Sequence, residues 1–150
     1  MLRNPLPILV FIAGVLPAQA QVPAIQTQDL NAPGFVAELT EAKRSDGVLS
    51  LKVRLKNTGT KPERLSIYQN RNSDAFYVQA AAKKYFMLTD SEKVPLTPAW
   101  DSFGGLSAEV APGAAYTWWA KYPAPPASVK KFSFYWSLGA PFDDVPITDK

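Results

Sequence analysis

Asp90, Glu92, Asp101, Glu109, Asp143 and Asp144 are the side chains that this sequence offers to acid–base chemistry, because it contains no histidine and no cysteine. Without histidine there is no Ser–His or Cys–His nucleophile, and no imidazole to hold zinc or non-haem iron. Without cysteine there is no thiolate ligand, no cysteine nucleophile and no disulfide framework. A glycoside hydrolase using two carboxylates is the enzyme class that survives, and the spacing serves it poorly. Asp143 and Asp144 are neighbours, so a regular strand would send them to opposite faces. Asp90-Ser91-Glu92 has the composition of a turn, and a domain of this size has little depth for a substrate cleft. A calcium site on either acidic pair lacks the spaced, glycine-turned loop such sites use. The reading is non-enzymatic, with no cofactor and no metal.

Stacking is the other available chemistry. In "YTWWAKYPAPP", residues 116–126, a strand would place Tyr116, Trp118, Ala120 and Tyr122 on one face and Thr117, Trp119 and Lys121 on the other. Trp118 is therefore expected in the core and Trp119 on the outside. Trp119 then has two fates. It can join Trp100 and Phe103 in a surface for sugars, with Asp101 or Asp90 taking hydroxyl hydrogen bonds. Alternatively, the loop carrying Trp100 and Phe103 folds over it. The second is preferred, because aromatic strand positions serve packing more often than binding. Pro123, Pro125 and Pro126 have no N–H to give a ladder, so they end the strand. A ligand for proline-binding modules is the alternative use of that run.

The elements that must position these residues begin after a leader. Residues 1–20 carry one cation, Arg3, then the apolar run from Leu6 to Leu16, then Ala18-Gln19-Ala20. That order is expected of a cleavable signal peptide, and the run is shorter than the ~20 residues that span a bilayer. No cysteine follows to carry lipid. Export to the periplasm or the exterior is the expectation, with no membrane span after cleavage. Removing Arg3 lowers the formal net charge of +3 by one. Short basic pairs such as Lys83-Lys84 and Lys130-Lys131 are too sparse for a nucleic-acid footprint.

Residues 21–33 read as an extended leader and residues 34–148 as one domain. "LSLKVRLK" alternates strictly, with Leu49, Leu51, Val53 and Leu55 on one face, the pattern of a half-buried strand. "FVAELTEAKR" joins it through Ser45-Asp46-Gly47 as a hairpin. A turn at Asn57-Thr58-Gly59 leads to a strand with Leu65 and Ile67. "FYVQAAAKKYFML" reads as a second hairpin, pairing residues 76–79 with 85–88. Residues 89–108 read as a long loop, the kind of segment where function tends to sit. Pro112-Gly113 is a turn, "VKKFSFYW" puts Phe132, Phe134 and Trp136 on one face, and "PFDDVPI" is a closing strand. About seven short strands with such turns predict an all-β, single immunoglobulin-like antiparallel β-sandwich.

"LKVRLKNTGTKP", the "FYVQAAAKKYFML" hairpin, "APGAAYTWWAKYPAPPASVKK" and "PFDDVPI" occur in that order. Over residues 35–147 the chain resembles the immunoglobulin-like domains of secreted bacterial proteins, mostly of unknown function. Such domains stand alone after a signal peptide or accompany outer-membrane-protein-A-type domains that bind peptidoglycan. A looser resemblance links it to secreted immunoprotective antigens. The family carries no catalytic motif to transfer. Ala81-Ala82 stands at a hairpin tip where relatives often have glycine, and alanine at positive φ would cost ~1 kcal/mol, so a different turn type is expected. The resemblance implies an exported, non-catalytic interaction module of the envelope or exterior. It would bind protein through loops or edge strands, or else glycan or peptidoglycan through exposed aromatics. The sequence leaves its oligomeric state open.

Overall fold

The computed structural model describes residues 21–68, 73–98 and 105–150; the expected signal peptide lies outside them. Among the described residues there are eleven strands: β1 (Gln26–Asp29), β2 (Phe35–Ser45), β3 (Val48–Asn57), β4 (Glu63–Tyr68), β5 (Tyr77–Ala80), β6 (Lys83–Tyr85), β7 (Leu106–Val110), β8 (Ala115–Pro123), β9 (Lys131–Tyr135), β10 (Phe142–Pro146) and β11 (Thr148–Asp149). The only helical element described is a single 3-10 turn, Ser73–Ala75. The chain is all-β, but eleven strands replace the expected seven or so. The surplus is β1, within the expected leader, β7, which starts inside the expected 89–108 loop, and β11, which follows the expected closing strand.

One sheet runs β1-β2-β3-β8, with β11 pairing in parallel along the far half of β2. A second runs β10-β9-β5-β6, and β4 pairs with β7 as a separate ribbon. The two larger sheets face each other through aromatic rings. Trp118 of β8 stacks on Phe134 of β9 at 5.5 Å and meets Phe76 at 5.7 Å. Tyr122 meets Phe134 edge-on and donates its hydroxyl to the Phe76 carbonyl, 3.1 Å away. From β2 and β3, Ala37, Leu39, Leu49, Leu51, Val53 and Leu55 close the same core. The alternation in "LSLKVRLK" therefore has the physical origin expected of it, one face buried and one in water.

Two irregularities decide which polar groups point where. Between Leu39 and Glu41 the pairing of β2 with β3 slips by one residue. Thr40 is the extra residue, and it turns the phase of β2, so that Ala42 and Arg44 face inward and Glu41 faces out. Arg44 is only 8% exposed. Its guanidinium holds Asp149 in a two-point pair, Nε to Oδ1 at 2.5 Å and Nη2 to Oδ2 at 3.0 Å. It also donates to the carbonyls of Pro125, Pro126, Ala127 and Val129. The proline run therefore does more than end β8. Its carbonyls wrap a buried cation and, through Asp149, fix β11 against β2.

The Arg44 guanidinium, with help from Lys130, holds the Asp149 carboxyl below the usual carboxylate range. A carboxyl with a depressed folded value contributes stability above its unfolded value, about 3.9, and loses it as pH falls through the folded one. Acidification below about pH 4 is therefore expected to free β11. In amide exchange, the Lys150 N–H, bonded to the Arg44 carbonyl, should lose protection there. Asp149→Asn should lose it already at neutral pH.

The second irregularity is the β5–β6 hairpin. Its register is Val78 with Tyr85, Gln79 with Lys84 and Ala80 with Lys83. The expected blocks, 76–79 against 85–88, stop one residue short of the turn on the first strand and two on the second. Ala81 and Ala82 both have positive φ, 48° and 61°, the conformation of a type I′ turn. The expectation of another turn type was wrong: the right-handed twist of the strands selects I′ even where alanine must bear the cost. Replacing Ala81-Ala82 by Asn-Gly should therefore stabilise the protein by about 1 kcal/mol. A urea midpoint raised at unchanged slope is the expected reading.

The sheet edges are treated unequally. The outer edge of β10 carries a bulge between Phe142 and Val145. Its Asp143 carbonyl accepts from the Gln26 amide at 2.7 Å, and the nearby Ala140 carbonyl accepts from Gln28. The outer edge of β8 is covered by the chain around residues 88–97: Leu88 N–H donates to the Lys121 carbonyl, and Lys121 N–H donates to Leu96. Part of the stretch read as loop is thus an edge cover. On β6 no such cover exists among the described residues.

Candidate functional site

Trp119 projects from the outward face of β8 and is 36% exposed. Its backbone is fixed from both sides. It sits opposite Lys52 of β3 in the ladder, and its carbonyl accepts the Thr97 hydroxyl at 3.0 Å. Lys52 in turn pairs with Glu41 of β2 at 2.9 Å, a contact that exists because the Thr40 bulge brings Glu41 to the outside. Ser50 lies opposite Lys121 one step along. Glu41, Ser50, Lys52, Trp119 and Lys121 line an open depression of about 420 Å³ on this face. Leu51 and Ala120, whose side chains are buried in the core, complete its lining.

The surroundings are polar and mostly in water, so the indole is the one large apolar group there. A single aromatic ringed by charges suits contact with a partner surface, where aromatics anchor and polar rims set orientation. It offers no pair of carboxylates facing one another across a cleft. Glu41 is engaged with Lys52, and Glu38 with Arg54 at 2.8 Å.

The other residues singled out from the sequence do not gather here. Trp100, Asp101 and Phe103 lie outside the described residues. Asp90 accepts the N–H groups of Glu92 and Val94, each at 2.9 Å, and so organises the tight turn that contains Lys93 at φ 66°. Asp143 and Asp144 do not point to opposite faces as a regular strand would require. Both are exposed, because the bulge inserts a residue and Asp144 takes φ 52°. Glu92 and Glu109 are exposed. Among the described residues no three carboxylates come close enough to hold a cation, and no helix is long and apolar enough to cross a membrane. A smaller recess of about 190 Å³, between Leu30, Leu65, Ser66 and Leu138, holds no charged side chain.

A second aromatic group lies on the outer face of the opposite sheet, and the sequence reading did not single it out. Tyr135 of β9 stacks on Tyr77 of β5 at 4.9 Å and 8°, and Phe86 follows at 6.1 Å. The Lys84 ammonium sits 4.3 Å from the Tyr77 ring centre. Tyr77 therefore has neighbours on both sides and serves mainly as a cross-strand brace. Phe86, at the end of the row, is 46% exposed. Outward alternation in "FYVQ" and "KFSFY" was the available signal, but the pairing that joins them needs the register.

No protein-family model matches this chain, and no curated protein sequence matches it significantly.

Proposed function

We propose that this chain is an exported, non-catalytic interaction module with an immunoglobulin-like sandwich, which binds a protein of the bacterial envelope or exterior through the outer face of β2, β3 and β8. The observation that carries this reading is Trp119: a tryptophan 36% exposed, opposite Lys52 and beside the Lys52–Glu41 pair. Large aromatics on a face otherwise given to charge are informative, since water contact costs them free energy that a partner would recover. The lack of histidine and cysteine supports a binding role over catalysis. Two packed sheets with an inward aromatic core support the immunoglobulin-like assignment, and the amino-terminal pattern supports export.

The test is a photo-crosslinking residue in place of Lys121, used in native envelopes. One protein adduct, lost on Trp119→Ala in a variant that remains folded, is the expected result. No adduct above background would sink the reading.

A second reading is favoured by one feature of the same depression. The exposed indole has a hydroxyl, an ammonium and a carboxylate beside it, from Ser50, Lys52 and Glu41, a set able to stack on and hydrogen-bond a sugar. Titration with soluble peptidoglycan fragments, followed by tryptophan fluorescence, separates the two. A saturable change lost in Trp119→Ala makes the ligand a glycan.

A further inference from the structure

We propose that the open edge of β6 is a docking strand for an extended acidic peptide segment of a partner protein, at a surface separate from Trp119. With Ala81-Ala82 as a two-residue type I′ connection, Ala80 and Lys83 form the hydrogen-bonded pair next to it. Pairing then alternates. Gln79 with Lys84 is non-bonded, and Val78 with Tyr85 is bonded. The N–H and C=O of Lys84 therefore point away from β5, and the same alternation carried one residue past the end of β6 would turn those of Phe86 the same way. Among the described residues nothing receives them.

Within its own sheet β6 is the edge without a cover among the described residues. The β8 edge is bonded by Leu88 and Leu96, and the β10 edge is bulged and capped by Gln26. Folded sheets usually blunt exposed edges in such ways, because a free edge recruits another strand. Here the guards are Lys83 and Lys84, which repel a second copy of the same edge but attract an acidic one. A two-fold pairing of β6 with itself would bring lysines against lysines, which is unfavourable. From Phe76 to Leu88 the hairpin carries these two cations and no carboxylate.

Side-chain chemistry continues the same description. Lys84 and Phe86 share the outer face, with Phe86 largely in water. A strand added beside β6 would place its backbone against Lys84 and Phe86, a carboxylate near the lysines, and an apolar side chain against the free side of Phe86. Main-chain bonds would supply affinity and the alternate side chains selectivity, as in other strand additions.

The test uses the ¹⁵N-labelled protein and a blocked hexapeptide of alternating glutamate and valine. Its controls are the glutamine analogue and a peptide N-methylated at alternate residues. The expected result is saturable shifts and slowed exchange at the Lys84 and Phe86 amides. Binding should weaken about tenfold for the glutamine analogue and fall steeply with salt. The N-methylated peptide should not bind. Lys84→Glu should invert the charge preference. Lys84→Pro removes the ammonium and the outward N–H together, so it should abolish binding where Lys84→Gln, which keeps the N–H, only weakens it, while the β5–β6 pairing persists in both. Trp119→Ala should leave it unchanged, so failure here is distinguishable from failure of the Trp119 surface. Equal binding of all three peptides, shifts centred on Trp119, or no shift at millimolar peptide would overturn the proposal. So would protection of the same amides by self-association without peptide.

Discussion

Trp118→Ala is expected to lower stability by about 3–5 kcal/mol, which is most or all of what a domain of this size has. Trp118 has no exposed surface, and its ring lies between Phe134 and Phe76 of the opposite sheet. Removing it opens a cavity at the point where the two sheets meet, with no disulfide to hold them together. Trp119→Ala, one residue along, should cost about 1 kcal/mol or less, because its ring is partly in water already. Denaturant midpoints of the two variants make the comparison. Equal losses would mean that Trp119 is a core residue and that the proposed binding face is wrong.

Asn57→Leu is expected to be nearly as damaging. Asn57 is fully buried. Its side-chain amide donates to the carbonyls of Lys61 and Val110 at 2.8 and 2.9 Å, and its oxygen accepts the Gly59 N–H at 2.8 Å. The backbone of the same residue binds Ala114 and Gly113. The side chain thus joins the end of β3 to the entry of β4 and to β7, and the backbone of the same residue joins it to the turn before β8. Leucine leaves two carbonyls and one N–H without partners, at ~1–3 kcal/mol each, for a total of about 4 kcal/mol after relaxation. Asn57→Asp gives a sharper check. An ionised carboxylate would face two carbonyls, whereas the protonated acid can still donate to one. Burial raises its folded value, so relative to the wild type this variant should be more stable near pH 4 than at pH 7. A variant insensitive to pH would show that the amide donors are not what holds the junction.

Alternation made much of the fold legible from the sequence. The faces of β3, β8 and β9, with Trp118 in and Trp119 out, follow from period two and burial alone. The reading failed where period two is broken. The Thr40 bulge reverses the phase of β2 and so puts Arg44 inside and Glu41 beside Lys52. A bulge has no residue signature here, since Glu-Leu-Thr-Glu continues a regular strand as well as it interrupts one. The Asp143-Asp144 bulge is the same failure on another strand. β1, β7 and β11 were missed for a different reason: each is four, five or two residues long and is defined by its neighbour more than by its own composition. Of the depression, Trp119 was legible but its companions were not. Lys52 and Glu41 become its neighbours through register, which sequence spacing does not carry.

The ladder between β3 and β8 joins Val48 to Pro123 and Lys56 to Ala115, across most of the chain's middle. The β2–β3 hairpin, by contrast, closes through Asp46-Gly47 alone. A chain built this way assembles at two speeds. Its hairpins form in microseconds, while the step that brings β8 home must first gather the long intervening segment and lose that segment's freedom. Trp118 travels with β8, so with Trp100, Trp119 and Trp136 replaced by phenylalanine its fluorescence in a stopped-flow refolding experiment should report the slow phase, after hairpin formation is complete. Until then the inner face of β3, a row of leucine and valine, has no cover, and the folding chain is most exposed to aggregation during that interval.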